Sequence, residues 1–180
     1  GGNTRGVLQP NGSPYAFLHS NEPMAFICFN PSQTIPPMTL MQAHSGQKLG
    51  CCFFSYPPMN PNDKWLISPK MTLGIKPRIE FWVKSYDTQY GIEKYNIAAS
   101  TTDNVPASFG LLTTIPESAP ADWTKRSYDL SAYTNQNVYV GIQCVTDYGL
   151  VFMIDDIAIT SMVGVDDQRR PDQFSLYPNP

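Results

Sequence analysis

Seventeen prolines and twelve glycines are spread through 180 residues, and their distribution is the strongest constraint on the fold. Proline lacks the N–H that a helix interior needs and clashes with the preceding turn. Glycine weakens a helix by about 1 kcal/mol per site. No window offers a long 3.6-residue apolar period free of these breakers. Alternation with period two is common instead, the signature of half-buried strands. In "RIEFWVKS", Ile79, Phe81 and Val83 fall on one face and Arg78, Glu80, Trp82 and Lys84 on the other. Tyr95, Ile97 and Ala99 share a face, as do Val138, Val140, Ile142 and Cys144. "MAFICF" and "KLGCCFFS" are apolar on both faces and read as central strands. The segments between runs are turn-rich: "YPPMNPND", "LGIKP", "IPESAPADW" and "SAYTNQN". Strands of about 5–8 residues with a turn between each predict an all-β fold, a jelly-roll β-sandwich of two antiparallel sheets.

This pattern also sets boundaries. Residues 1–20, rich in Gly, Asn and Pro, are expected to be a linker or edge segment, 21–163 the sandwich, and 164–180 a polar linker. The opening Gly-Gly-Asn reads as a mature or trimmed start. The formal charge of −3 argues against nucleic acid, which demands a basic footprint. No run of 18 apolar residues exists, so no membrane insertion is expected. The four cysteines, Cys28, Cys51, Cys52 and Cys144, form no C-x-x-C pair. With only His19 and His44 beside them, zinc has little support. Three pairings are open to four cysteines, but all four sit in apolar runs and read as buried thiols. Adjacent Cys51 and Cys52 should point to opposite sheet faces.

The run "LVFMIDDIAIT" carries two carboxylates, Asp155 and Asp156, inside an apolar strand. A buried carboxylate needs a partner. Strand parity puts Asp155 with Val151, Met153, Ile157 and Ile159, and Asp156 on the other face. Two partners are open: a calcium ion, which takes six to eight oxygens at flexible geometry, or nearby backbone N–H groups at a strand end. Catalysis is disfavoured. Adjacent aspartates facing opposite ways cannot flank one glycosidic bond. Cys51 and Cys52, the thiols nearest His44 in sequence, sit where a thiolate is costly.

Six motifs in order carry a family resemblance: "QAHSGQK", "NDKWLISPKMTL", "PRIEFWVKS", "YNIAASTT", "DWTKRSYDLSAYTNQNVYVGIQC" and "LVFMIDDIAI". They resemble the cleaved-adhesin domain of Bacteroidetes surface proteins, found in the haemagglutinin/adhesin regions of gingipains and in choice-of-anchor modules, and akin to MAM domains. The resemblance covers roughly residues 39–162. The final "FSLYPNP" resembles the opening of a C-terminal sorting domain of type IX secretion substrates. Together these imply a secreted or cell-surface, non-catalytic, adhesin-like accessory module that binds a glycan or a host surface protein. A structural spacer with no ligand of its own is the alternative. The resemblance further implies a structural calcium held by Asp155, with Asp156 beside it and with His44 and Ser45 contributing carbonyl oxygens. One departure stands against it: no aspartate precedes Asp63, and Glu22 is the only earlier carboxylate. For ligand binding, the loops "SYDTQYG" and "DYG" supply Tyr86, Asp87, Tyr90, Asp147 and Tyr148, aromatic faces flanked by polar groups. The favoured alternative is that these loop tyrosines cover the ends of the sandwich. Trp65 and Trp123 read as anchors, and Trp82, on a polar face, as covered by another segment or exposed for contact.

Overall fold

A computed structural model describes residues 12–20, 22, 24–54 and 61–162. The tail expected to lead to a sorting domain lies outside the described residues. Eleven strands and three short 3-10 turns make up the regular structure, with no α-helix among the described residues. The strands are β1 (Phe26–Phe29), β2 (Leu49–Phe53), β3 (Lys64–Ile67), β4 (Met71–Thr72), β5 (Ile75–Ser85) and β6 (Lys94–Ser100). After them come β7 (Gly110–Leu111), β8 (Glu117–Ser118), β9 (Thr124–Asp129), β10 (Asn137–Cys144) and β11 (Val151–Met162). One sheet has the order β1-β2-β11-β5-β9. The other runs β3-β10-β6-β7, with β4 on β10 and β8 on β6. Every pairing is antiparallel. The sandwich read from the alternation is the architecture observed.

The alternating residues fill the space between the sheets. Ile79, Phe81 and Val83 from β5 meet Tyr95 and Ile97 from β6 and Val138, Val140, Ile142 and Cys144 from β10. Phe152 and Ile154 come in from β11 and Cys52 from β2. Phe81 stacks on Tyr128 and meets Tyr95 edge-on, and Tyr95 stacks on Phe152. The two phenols, pushed toward the interior by that stacking, satisfy each other: Tyr95 and Tyr128 hydroxyls lie 2.8 Å apart. Burial holds both phenols above their ordinary titration range. Lys64 ties the sheets directly, its buried ammonium donating to the Phe53 carbonyl at 2.7 Å.

A second apolar layer lies on the other face of β1, β2 and β11. It contains Phe29, Met38, Met41, Leu49, Cys51, Phe53, Val151 and Met153, with Tyr15 and Phe17 packed against it. Phe17 stacks on Phe53 and meets Phe29 edge-on. This explains why "MAFICF" and "KLGCCFFS" are apolar on both faces. Ala16 also bridges Ile35, so within the stretch expected to be a linker or edge segment Tyr15 and Phe17 pack against this layer. Cys51 and Cys52 do face opposite ways, one into each layer.

Parity fails at one place in β11. Asp155 pairs with Trp82, but Ala158 pairs with Glu80, so one extra residue sits between them. Asp156 adopts φ +49°, the left-handed conformation that a bulge requires and that Asp tolerates better than most residues. Before the bulge even-numbered residues point inward; after it Ile159 does, opposite Ile79. Ile157 is caught in the switch and is 44% exposed, correcting the expectation that it shares a face with Asp155 and Ile159. Phe81→Ala should therefore cost about 3–5 kcal/mol in urea melts, whereas Ile157→Ala should stay within about 0.5 kcal/mol. Equal losses would contradict the bulged register.

Candidate functional site

The bulge turns both aspartates toward one loop, "HSG". Asp155 Oδ2 accepts the backbone N–H of His44 at 2.9 Å and of Ser45 at 3.2 Å. Its Oδ1 accepts the N–H of Asp156 at 2.9 Å. Asp156 Oδ2 lies 2.6 Å from His44 Nδ1, and Oδ1 accepts the Ser45 hydroxyl. The imidazole lies flat on Trp82, centroids 3.8 Å apart at 17°, and meets Trp123 edge-on at 5.8 Å. Trp123 donates its indole N–H to the Gln42 carbonyl. Trp82 is thus covered, and Trp123 anchors the loop's start. The sequence brought the four expected residues to one place; it did not show the tryptophans that wall them in.

The donor set bears directly on calcium. All four carboxylate oxygens already accept hydrogen bonds, and the loop presents N–H groups to Asp155 where carbonyl oxygens were expected. A hard cation needs oxygens, and N–H dipoles aimed at the same oxygens repel it. Among the described residues no group of three or more His, Cys, Asp or Glu is placed to hold a metal. This arrangement does not fit a calcium ion, and we infer that the pair acts as a hydrogen-bonding clamp on residues 44–45. It does not form a nucleophile either. Ser45 donates to Asp156 instead of to the imidazole, so the serine–histidine contact of a triad is missing. Burial pushes the Cys51 thiol well up.

The five expected binding residues divide. Tyr86 is half-buried against the second apolar layer, with its N–H on the Val151 carbonyl. Burial raises its phenol, and it leaves the surface set. Asp87 accepts the Gln89 N–H at 2.8 Å, closing an Asx turn. The other three converge on a feature that the sequence did not show. Phe54, Tyr148 and Tyr90 form a row, with edge-to-face contacts at 6.2 and 6.4 Å. Tyr148 is 54% and Tyr90 43% exposed, and Asp147 is exposed beside them.

A buried carboxylate holds this row. Glu93, almost fully enclosed, accepts the Leu150 N–H, while its own N–H donates to Ser85 Oγ. Burial raises its carboxyl, an effect offset in part by the Thr146 hydroxyl and the Leu150 amide. Two glycines let the loops close on it. A Cβ at Gly149 would sit 2.4 Å from Glu93 Oε1, and one at Gly91 2.4 Å from the Tyr148 carbonyl. Nothing in "YGIEKYN" marked Glu93 in advance, since exposed and buried glutamates look alike in a strand that begins at a loop.

A second polar patch crosses the outer face of the six-stranded sheet. Asp63 Oδ1 accepts from Trp65 Nε1 and Gln143 Nε2, Gln143 Oε1 from Asn96, and Asn96 Oδ1 from Thr113. Its groups are spent on one another, and the Phe109 ring lies beside Trp65 and over Gly141. That places Trp65 as an anchor.

The sequence model of the cleaved adhesin domain matches residues 33–159. The chain belongs to the cleaved adhesin domain family. It is 28% identical over 116 residues to hemagglutinin A of Porphyromonas gingivalis (strain ATCC BAA-308 / W83), covering 54% of this chain and 5% of that protein. With Lys-gingipain W83 of the same species it shares 29% identity over 120 residues, covering 58% of this chain and 7% of the relative. The chain thus spans a small fraction of those relatives. The K2 cleaved adhesin domain of Lys-gingipain superposes with a TM-score of 0.61 at 19% identity, covering 77% of this chain and 84% of that one. The K3 domain from Porphyromonas gingivalis w83 gives 0.56 at 20%, covering 77% and 93%. Among the described residues no helix is long and apolar enough to cross a membrane.

The clamp yields two expected results. Chelator should leave the Tm unchanged, while Asp155→Ala should cost about 1–3 kcal/mol by stranding loop N–H groups; a chelator-sensitive Tm lost in Asp155→Ala would reinstate the metal. The Ser45 and His44 hydrogen bonds hold the Asp156 carboxyl below its usual range. Its contribution is then complete above the unfolded carboxylate pKa, about 3.9, and lost as pH falls through the folded value. Asp156→Asn should therefore flatten the acid limb of a Tm–pH curve; an unchanged limb would show that Asp156 is uncoupled from folding.

Proposed function

We propose that this cleaved adhesin domain is a non-catalytic, secreted or surface-exposed module that binds a glycan through the aromatic row at one end of the sandwich. The observation that carries this reading is the row itself: Phe54, Tyr148 and Tyr90 in continuous contact, the two tyrosines about half exposed, with Asp147 exposed next to Tyr148 in the chain. Aromatic faces pack against the C–H faces of pyranose rings, and flanking carboxylates accept their hydroxyls. Exposed aromatic side chains held this firmly from below cost little ordering entropy on binding. The hydrogen-bonded patch around Asp63 and Gln143 offers less, because its polar atoms already have partners. The hemagglutinin name of one relative fits an adhesive role without identifying a sugar.

A glycan array should show retention by the wild-type domain, reduced at least tenfold, about 1.4 kcal/mol, by Tyr148→Ala and Tyr90→Ala, and unaffected by Trp65→Phe. Retention insensitive to both tyrosine changes would move the site elsewhere. Binding only on a host-protein array would replace the glycan with a protein partner. Silence on both arrays would leave a spacer.

A further inference from the structure

Two thiols face each other across the middle of the sandwich. Cys52 lies on β2, in register with Phe26 of β1 and Phe152 of β11. Cys144 ends β10, in register with Lys64 of β3 and Tyr95 of β6. Each belongs to a different sheet, both point into the same core cluster, and both are fully buried. Lys64, the cross-strand partner of Cys144, donates to the carbonyl of Phe53, the neighbour of Cys52, so the two thiols sit on facing strands at the same place in the core. Cys144 Sγ also sits 3.6 Å from the Thr146 hydroxyl. The other two cysteines lie apart from this pair: Cys51 faces the second apolar layer and Cys28 is exposed on the edge strand.

We propose that Cys52 and Cys144 are an oxidisable pair, which in the mature domain forms a disulfide stapling the two sheets. A small apolar residue would fill either position equally well, so the juxtaposition of two thiols is the feature to be explained. Thiols packed in one core cluster from facing strands can reach bonding distance by side-chain adjustment. The bond closes a loop of about 90 residues, in the range where the chain-entropy gain is large. The chemistry balances by exchange. The two thiols give up two protons and two electrons to a reagent disulfide, which leaves as two thiols, and one S–S bond forms as another breaks. Both sulfurs are buried beyond the reach of a reagent disulfide in the closed core, so the exchange takes place while the chain folds or during opening of the sandwich. The reagent is a small-molecule or protein disulfide of an oxidising compartment.

The test refolds the domain with oxidised and reduced glutathione, and separately with excess reductant. Expected after oxidation are an intact mass lower by two hydrogens, two alkylatable thiols in place of four, and a peptide linking the Cys51–Cys52 segment to Cys144. Reductant should lower the Tm by on the order of 10 °C. Cys51→Ala and Cys28→Ser should retain the cross-link, and Cys52→Ala and Cys144→Ala should lose it together with the redox-dependent Tm difference. Four alkylatable thiols after oxidative refolding would overturn the proposal, as would a bond involving Cys28 or Cys51. The mass and thiol count are read on the wild-type chain, so a variant that fails to fold does not blur the result. They need no ligand, so they stand or fall separately from glycan binding.

Discussion

The bulge at Asp155–Asp156 governs the arrangement of the five-stranded sheet. β11 lies between β2 and β5, so a change of face in this strand is felt on both sides. Its N-terminal half gives alternate residues to two apolar layers: Phe152 and Ile154 to one, Val151 and Met153 to the other. Its C-terminal half feeds Ile159 back to the first layer. One extra residue in a left-handed conformation reconciles the two halves. Without it, uninterrupted alternation from Phe152 and Ile154 would send Asp156 and Ala158 into the first layer and turn Ile159 away from it. The bulge instead delivers two carboxylates to a loop whose N–H groups need acceptors. The strand's irregularity and the loop's position are one solution to two problems of polar satisfaction.

The clamp also explains the second apolar layer. Met41 and Ala43 lead directly into His44, and both contribute to that layer. Trp123, arriving just before β9, packs there too and fixes the Gln42 carbonyl. Pinning residues 44–45 to β11 therefore holds the segment that covers β1 and β2. A sheet face left bare at this point would be a wide exposed hydrophobic surface.

Much of this was legible because period-two alternation is a direct record of burial. Ile79, Phe81, Val83, Tyr95, Ile97, Val140 and Ile142 were assignable to one core, and the doubly apolar β1 and β2 to central packing, from spacing alone. Ile157 was not, because a bulge in a strand of ordinary residues leaves no mark unless a glycine signals it, and here an aspartate takes the left-handed position. The four residues of the clamp were nameable, but the polarity of their contact was not. A loop can present carbonyls or N–H groups to the same carboxylate, and only the backbone path decides which. The aromatic row was half legible: its tyrosines stood out in turn-rich loops, while Phe54 looked like the end of an apolar strand. Tyr86 was misplaced because a loop tyrosine adjoining a strand can fold back over the sheet, as this one does onto the second layer.

The clamp lies on β11 and the aromatic row includes the connection that leads into it, and they differ in what fixes them. At the clamp, the exposed carboxylate of Asp156 meets a loop in contact with solvent, so its part of the hold is graded by pH. At the row, a single enclosed carboxylate, Glu93, receives the N–H of Leu150, the last residue of the β10–β11 connection, and lies under Gly149. A buried acceptor in low dielectric binds its donor more strongly than an exposed one. It also tolerates less, since a methyl group at 149 would collide with the carboxylate. Side chains at 147 and 148 project outward and are free of that restriction. The connection is thus rigid where it is anchored and open to change where it meets solvent. That combination allows the surface chemistry of such a module to vary without disturbing the sandwich beneath it.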